Sequence, residues 1–140
     1  LRNEGGLLKR FGTRRIYEFD TSVDTSATQQ LRLVPFIFSD DERYIVSLEN
    51  AKIRIFQIDP TTGNVSLIQT LTQDVDTNAI PFTNAKLPEL TYAQAGDVMF
   101  IAHQTFMVRK LVRTGLTTFQ LELMTFNESA DGYRIIGFSL

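Results

Sequence analysis

His103, the single histidine of this chain, is the side chain best suited to acid–base chemistry near neutral pH. It follows an apolar run at 98–102. A nucleophilic triad would also need a serine at a strained turn and an orienting acid, and the chain contains no G-x-S-x-G pattern. A single histidine cannot build a typical zinc site. We therefore expect His103 to be a turn or packing residue, and we expect the chain not to be an enzyme.

Aspartates in loop-like stretches offer the oxygen ligands that calcium prefers. The nearest approach to a calcium loop is "DVDTNA" at 74–79, but it lacks the glycine and the distal glutamate of an EF-hand. Spacing alone leaves a paired-carboxylate glycosidase open, since its two acids can come from distant loops, yet no other feature favours one. We expect solvated loop acids, no metal and no cofactor. The acids are Asp20, Asp24, Asp40, Asp41, Asp74, Asp76 and Asp97.

A basic cluster near the beginning of the chain is formed by Lys9, Arg10, Arg14 and Arg15. One interpretation is a solvated loop and strand face. The other is contact with the acids of a partner subunit or with phosphate. No phosphate loop or dinucleotide fingerprint is present in the sequence. We take these four residues as a candidate interface with another subunit or an adaptor.

Length and composition limit the classes of protein that fit. The 140 residues suit one domain, and a chain of this size buries roughly 70% of its unfolded surface without a disulfide or metal staple. The absence of cysteine excludes thiolate metal sites and cysteine nucleophiles. The net charge of −2 does not suggest a general polyanion binder. The sequence has no apolar run of about 18 residues that would span a membrane as a helix.

The clearest structural pattern is a hairpin. A β-branched run from Ile53 to Ile58 is followed by turn residues from Asp59 to Asn64, and a strand pattern resumes at Val65. The stretch "RYIVSLEN" predicts a strand before it. "LRLVPFIF" predicts another, in which Pro35 favours an edge strand or a bulge.

Other elements follow from weaker patterns. We predict a strand from Ile16 to Phe19 and a short helical turn near Thr83 to Leu90, capped by Thr83 or Asn84. "DVMFIAH", "MVRKLVR" and "TTFQLELMTF" predict three further strands, with a turn at Thr114-Gly115. The sequence therefore predicts a mainly β fold of antiparallel meanders, propeller-like or a sandwich, with at most one short helix.

Residues 44–71 and 98–126 form a weak internal repeat of strand, turn, strand, turn, strand. Tyr44 corresponds to Val98, and Gly63 to Gly115. A period near fifty residues occurs in propeller blades and other stacked β units. The chain begins without methionine and ends in a strand-like run, so we expect residues 1–140 to be a single β-rich region and a piece of a longer polypeptide.

Several segments, in order, resemble the tail tubular protein B, or tail nozzle, family of short-tailed phages. They are "GGLLKRFGTRRIYEF", "RLVPFIFSDDERYIVSLENAKIRIF", "LPELTYAQAGDVMFIAH" and "RKLVRTG", and together they cover about residues 5 to 119. Phe11 stands where the family usually has proline. "HQTFMV" lacks the prolines that are common after the family's histidine.

The resemblance implies a structural component of the virion. Nozzle subunits assemble as a ring, usually hexameric, below the adaptor or portal ring proteins, and tail fibres attach near that junction. DNA passes through the tube without sequence-specific binding, and the tail tip meets the host envelope. The alternative is a β-rich carbohydrate-binding module of a tail fibre. The absence of tryptophan and the location of most phenylalanines in apolar strands weigh against that alternative.

Overall fold

The structure is a computed structural model that describes residues 12–19 and 30–125, together with the backbone of 127–129 and 132–134. In these ranges it contains ten strands and one 3₁₀ turn, Leu87–Glu89. The strands are β1 (Leu31–Ile37), β2 (Arg43–Glu49), β3 (Lys52–Ile58), β4 (Val65–Leu71), β5 (Thr91–Ala95), β6 (Val98–His103), β7 (Phe106–Arg113), β8 (Phe119–Leu123), β9 (Asn127–Ser129) and β10 (Gly132–Arg134).

The strands form two four-stranded antiparallel meanders. The first sheet has the order β1-β2-β3-β4, the second has the order β5-β6-β7-β8, and β9 pairs with β10. The prediction of a mainly β fold built from antiparallel meanders is therefore confirmed. The described residues contain no helix long and apolar enough to cross a membrane.

The predicted hairpin joins β3 and β4, and Asp59 organises its turn. The Asp59 carboxylate accepts hydrogen bonds from the backbone N–H groups of Thr61 (2.8 Å) and Thr62 (2.9 Å). The Asp59 N–H donates to the Asn64 carbonyl at 2.8 Å, which closes the loop. Gly63 has φ 71°, a left-handed conformation that glycine adopts without steric cost. The residues that predicted the turn, Asp59 and Gly63, are therefore residues that stabilise it.

Pro35 lies in β1, opposite Ile45 of β2, and β1 is an edge strand as predicted. A proline has no N–H to donate to a further ladder, so an edge position suits it. The seven residues of β1 alternate between the two faces of the sheet: Val34 and Phe36 are buried, whereas Leu33 and Ile37 are exposed. The exposed row defines the outer face of the first sheet.

One hydrophobic core lies between the two sheets, because both contribute to the same cluster of buried residues. Phe36 and Tyr44 of the first sheet meet Phe119 of the second edge to face, with ring centroids 5.2 and 5.1 Å apart. The segment between β4 and β5 adds Ile80 and Phe82 to the cluster. Face-to-face packing of this kind is what a sandwich or two neighbouring propeller blades have in common.

Two glutamine side chains join the edges of the sheets. Gln94 of β5 pairs with both backbone groups of Ile37 at the end of β1: its Nε2 donates to the carbonyl at 2.6 Å, and its Oε1 accepts from the N–H at 3.1 Å. Gln69 of β4 does the same with Phe119 of β8. Strands β1 and β5 therefore lie next to each other at one end, and β4 and β8 at the other.

The second sheet contains one strand that the sequence patterns missed. β5 (Thr91–Ala95) alternates small and polar residues, and it forms by pairing with β6 across a turn in which Gly96 has φ 60°. The turn between β7 and β8 begins at Thr114 as predicted, but it is wider. It is closed by a 2.9 Å bond from the Thr114 N–H to the Thr118 carbonyl.

The predicted helical turn near Thr83 to Leu90 exists in shorter form, as the 3₁₀ turn Leu87–Glu89. The predicted cap position is wrong, since the N-cap of this turn is Lys86, whose side chain makes no capping hydrogen bond. Instead the Thr83 carbonyl accepts the backbone N–H groups of Lys86 (2.9 Å) and Leu87 (3.1 Å). The preceding turn therefore supplies through its backbone the acceptor that these donors need.

The predicted strand from Ile16 to Phe19 is also wrong. Residues 12–19 have no regular secondary structure. Their aromatic side chains lie on the first sheet, where both edges of the strand beneath them are already paired with neighbours. The segment is therefore held by side-chain packing rather than by a backbone ladder. The last part of the strand-like end of the chain, 135–140, lies outside the described residues.

The repeat between 44–71 and 98–126 stays a prediction. Its paired positions fall in corresponding elements: Tyr44 is in β2 and Val98 in β6, while Gly63 and Gly115 lie in the last turn of each meander. Residue 126 lies outside the described residues.

Candidate functional site

The candidate interface is only partly within the described residues, because Lys9 and Arg10 lie outside them. Arg14 reaches the β3–β4 turn, where its guanidinium donates to the Asn64 Oδ1 at 2.7 Å. Arg15 pairs with Glu18 at 2.9 Å, with both side chains more than 70% exposed. The two arginines thus belong to one exposed segment, residues 12–19, which we call the arm.

The arm is held on the outer face of the first sheet by aromatic contacts. The Tyr17 ring lies 4.9 Å from the Phe56 ring, edge to face, and the Phe19 ring lies 6.1 Å from it. The Arg54 guanidinium lies 5.8 Å from the centre of the Tyr17 ring and 5.4 Å from that of Phe19. Such cation–π contacts add attraction where water is excluded. We call Arg54 and Phe56 the seat of the arm.

A buried ion pair lies in the seat. Arg54 Nη1 is 2.6 Å from Glu49 Oε2, and the two side chains are 9% and 4% exposed. The Ser47 hydroxyl donates to the other oxygen of Glu49 at 3.0 Å. Sequence analysis missed this pair, although a usable signal was present: both charged residues stand at alternate positions inside otherwise apolar strands, where a charge is buried only if it is paired.

His103 is tied into a local network, in agreement with the expected packing role. Its Nε2 is 2.9 Å from Glu89 Oε2, and its Nδ1 accepts the backbone N–H of Thr105 at 3.2 Å. The same nitrogen lies 2.9 Å from the Thr105 hydroxyl. The ring stacks on Phe106 and its side chain is 3% exposed. The contacts join the 3₁₀ turn to the β6–β7 turn.

Asp74, the first acid of "DVDTNA", is also structural. Its Oδ1 accepts the backbone N–H groups of Asp76 (3.0 Å) and Asn78 (2.8 Å), and its Oδ2 meets Arg109 of β7 at 2.7 Å. Burial alone would raise the pKa of Asp74, but the hydrogen bonds from Asn78 and Asp76 and the charge of Arg109 outweigh it and hold the pKa below 3.8. Asp74 therefore fixes its own loop to the second sheet.

Arg113 of β7 joins the second sheet to the first. Its guanidinium pairs with Glu42 and donates to the Tyr44 hydroxyl at 3.3 Å, and Tyr44 in turn donates to the Leu116 carbonyl at 2.8 Å. The hydrogen bond with Tyr44 is the main cause that raises the pKa of Arg113 above its ordinary value, and the negative charge of Glu42 acts in the same direction against the effect of burial. The guanidinium also lies 4.2 Å from the centre of the Phe38 ring.

The remaining candidate aspartates do not form a common site within the described residues. Asp40, Asp41, Asp76 and Asp97 are exposed, whereas Asp20 and Asp24 lie outside the described residues. No group of three or more histidine, cysteine or acidic residues that could hold a metal ion occurs in the described part of the chain. The polar side chains with the most contacts thus connect parts of the fold to one another.

An exposed apolar row lies on the same face as the arm. Leu31, Leu33 and Ile37 of β1 are 41%, 55% and 56% exposed, and we call them the apolar stripe. They point away from the second sheet, since the alternate residues Val34 and Phe36 lie in the core. Exposed apolar residues in a contiguous row are typical of surfaces that another protein covers.

Comparison with known proteins adds no assignment. The chain matches no family model, and no curated protein matches it.

Proposed function

We propose that this chain is a structural part of a phage tail nozzle, a ring of identical subunits through which DNA leaves the virion. The proposal rests on the ordered resemblance of residues 5–119 to the nozzle family. The observation in the structure that supports it best is where the resembling residues lie. Several of them join the two sheets or fix loops to them, which suits a stiff structural wall better than a catalytic site.

The segment "LPEL" illustrates this role. It forms the 3₁₀ turn, and its two leucines, Leu87 and Leu90, are 1% and 2% exposed within the shared core. The Leu90 carbonyl accepts the Arg32 guanidinium of β1, which also reaches the Leu87 carbonyl at 3.3 Å. This segment therefore ties the beginning of the second meander to the first sheet.

The basic segment "RKLVRTG" holds its cations in ion pairs within the chain. Arg109 pairs with Asp74, and Arg113 pairs with Glu42 of the first sheet. Lys110 pairs across the ladder with Glu122 at 3.1 Å. Each of these cations meets an acid of the same chain, so none of the three is left to grip the phosphates of DNA. Low phosphate affinity suits a channel, because affinity grows with every neutralised phosphate.

In the proposed assembly the subunits form a ring, expected to be hexameric, that contacts adaptor or portal proteins and tail fibres within the virion. A cyclic ring uses two different faces of each subunit, one on each side. The candidate face within the described residues is the outer face of the first sheet, which carries the arm and the apolar stripe. The tip of the nozzle would meet the host envelope.

Electron microscopy of the purified protein tests the proposal. Closed rings with a central channel are the expected result. Monodisperse monomers, or fibre-like trimers that bind host polysaccharide, would contradict it and favour the carbohydrate-binding alternative. That alternative has less support, because the exposed aromatic rings of Phe38 and Tyr92 are each covered by an arginine guanidinium rather than arranged as a free platform.

A further inference from the structure

The arm touches its sheet through side chains. Tyr17 and Phe19 lie on the seat, and Arg14 bonds the Asn64 side chain. No backbone hydrogen bond joins residues 12–19 to the sheet within the described ranges. A segment held in this way is specified by the shape and chemistry of the seat, and the seat does not distinguish the arm of its own chain from an identical arm of another.

The seat residues are nevertheless buried only because another segment packs over them. Phe56 is 4% exposed, and the Glu49–Arg54 pair beside it is almost as buried, although all three residues lie on the outer face of the sheet. Without an arm above them, an aromatic ring would lie open to water and the ion pair would lose its cation–π partners. Some copy of the arm must therefore occupy each seat.

The length of chain between the arm and the first strand allows either source. Eleven peptide units separate Phe19 from Gln30, which corresponds to a reach of about 36 Å at most. Exchange of an identical element between copies needs no new complementarity, because every contact formed within one chain is formed again between two. The choice between the two arrangements depends on what else is buried at the same time.

The apolar stripe favours exchange. It lies on the same face as the seat, and in the isolated chain Leu31, Leu33 and Ile37 remain about half exposed. A neighbouring copy that places its arm on Phe56 is held within about 36 Å of this face, close enough to cover the stripe as well. At about 25 cal/mol per Å² of apolar surface removed from water, that additional burial favours the exchanged arrangement.

We propose that the arm is exchanged between copies of this chain: residues 12–19 of one copy lie on the Arg54–Phe56 seat of the next, and the apolar stripe forms the rest of the contact. Successive exchange in one direction gives a heterologous contact, which closes into a ring when the rotation allows. The inference goes beyond the nozzle proposal and does not depend on it.

Cross-linking tests this directly, because the chain has no native cysteine to react. Arg14→Cys and Asn64→Cys leave the aromatic contacts of the arm intact and place two thiols at positions whose native side chains are bonded. The two single variants, carrying tags of different size, are co-expressed and treated with a short bis-maleimide. We expect a heterodimeric product at least tenfold more abundant than in a control pair made from Lys110→Cys and Glu122→Cys, which face each other within one β7–β8 ladder.

The double variant Arg14→Cys/Asn64→Cys gives the complementary result. Exchange predicts a ladder of covalent oligomers, whereas an arm held by its own chain gives a cross-linked monomer. A cross-linked monomer with no heterodimer in the mixed sample would overturn the proposal, and so would the absence of any cross-link in both samples.

A second pair of variants tests the stripe. Leu33→Glu should reduce the heterodimeric product at least tenfold, and Leu116→Glu, equally exposed but off the stripe, should leave it unchanged. Equal effects of the two variants would contradict the role given to the stripe. If rings form but every cross-link stays within one chain, the exchange fails while the nozzle proposal stands. If oligomers cross-link in the absence of rings, the exchange stands and the nozzle proposal fails.

Discussion

The Gln69 side chain forms two hydrogen bonds with the backbone of Phe119, fifty positions along the chain. Its Nε2 donates to the Phe119 carbonyl at 2.9 Å, and its Oε1 accepts the Phe119 N–H at 2.6 Å. The amide of a side chain thus takes the place of a peptide group from a neighbouring strand. Through this pairing β4 and β8, the last strands of the two meanders, are joined without a common ladder.

Gln69→Ala should lower the free energy of unfolding by about 1–3 kcal/mol, because Phe119 is 1% exposed and its two backbone groups would be left without partners. Urea titration followed by circular dichroism measures the effect as a lower midpoint.

Two other glutamines serve as controls. Gln94→Ala removes the corresponding pairing with Ile37, but Ile37 is 56% exposed, so water can replace the lost partners and the cost should be smaller. Gln120→Ala alters an exposed residue of β8 and should change stability by less than about 0.5 kcal/mol. A Gln69→Ala effect no larger than that of Gln120→Ala would show that the pairing contributes little.

The buried pair in the seat gives a larger prediction. Glu49→Ala leaves the Arg54 guanidinium buried without its acid, and losses of this kind cost about 3–5 kcal/mol. The matched control is Asp40→Ala, which breaks the exposed 3.6 Å pair with Arg43 and should cost about 0–1 kcal/mol. Similar unfolding midpoints for the two variants would mean that the seat is open to water.

Asp74 makes the stability of the fold depend on pH. Folding favours its ionised form, since its folded pKa lies below 3.8. The stabilisation is therefore complete above the unfolded pKa of about 4 and is lost as the pH falls through the folded value. In urea titrations the gap between the native chain and Asp74→Asn should be constant between about pH 5 and 7 and should shrink below about pH 4. A gap that stays constant down to the lowest pH would contradict the assignment.

How far the sequence could predict this fold depends on how local each signal is. The β3–β4 hairpin was predictable because Asp59 and Gly63 specify their turn within a few residues. The strand β5 was not, because the small residues of Thr91–Ala95 become a strand only when β6 pairs with them. The pairings made by Gln69 and Gln94 span fifty residues or more, and no spacing pattern marks them.

The candidate site shows the same limit. Arg14 and Arg15 could be singled out as cations because charge is visible in the sequence. Their position on an irregular arm could not be predicted, since nothing in the sequence near 16–19 shows that its aromatic side chains pack on a distant sheet. Tyr17 and Phe19 find Phe56 and Arg54 roughly 40 positions away, and only the folded chain brings them together.

His103→Ala should leave ring assembly and DNA delivery nearly unchanged, because the histidine connects two turns and contacts no other candidate group. Loss of the Glu89 and Phe106 contacts should cost about 1 kcal/mol of stability, which a urea titration can resolve. Gln104→Ala, at the exposed neighbouring position, provides the control. Loss of infectivity by particles that are intact and correctly assembled would indicate that His103 has a functional role.

The double variant Arg14→Glu/Arg15→Glu tests the basic cluster. Both side chains lie on the exposed arm, so the fold should lose little stability, within about 0.5 kcal/mol. If the cluster lined the channel, six copies would place about two dozen positive charges around DNA, and release of counterions would slow its passage. A subunit or adaptor interface, where arginine pairs bidentately with carboxylates, avoids this cost.

We therefore expect the double variant to block assembly of the ring or of its contact with the adaptor, since leaving the acid of a buried pair without its arginine costs about 3–5 kcal/mol. Electron microscopy and sedimentation measure the loss of rings, and circular dichroism checks that the subunit stays folded. Lys86→Glu, which changes a cation beside the 3₁₀ turn and outside the first sheet, should assemble normally. If the double variant also assembles normally but releases DNA at a different rate, the cations face the channel, and the interface assigned to them is wrong.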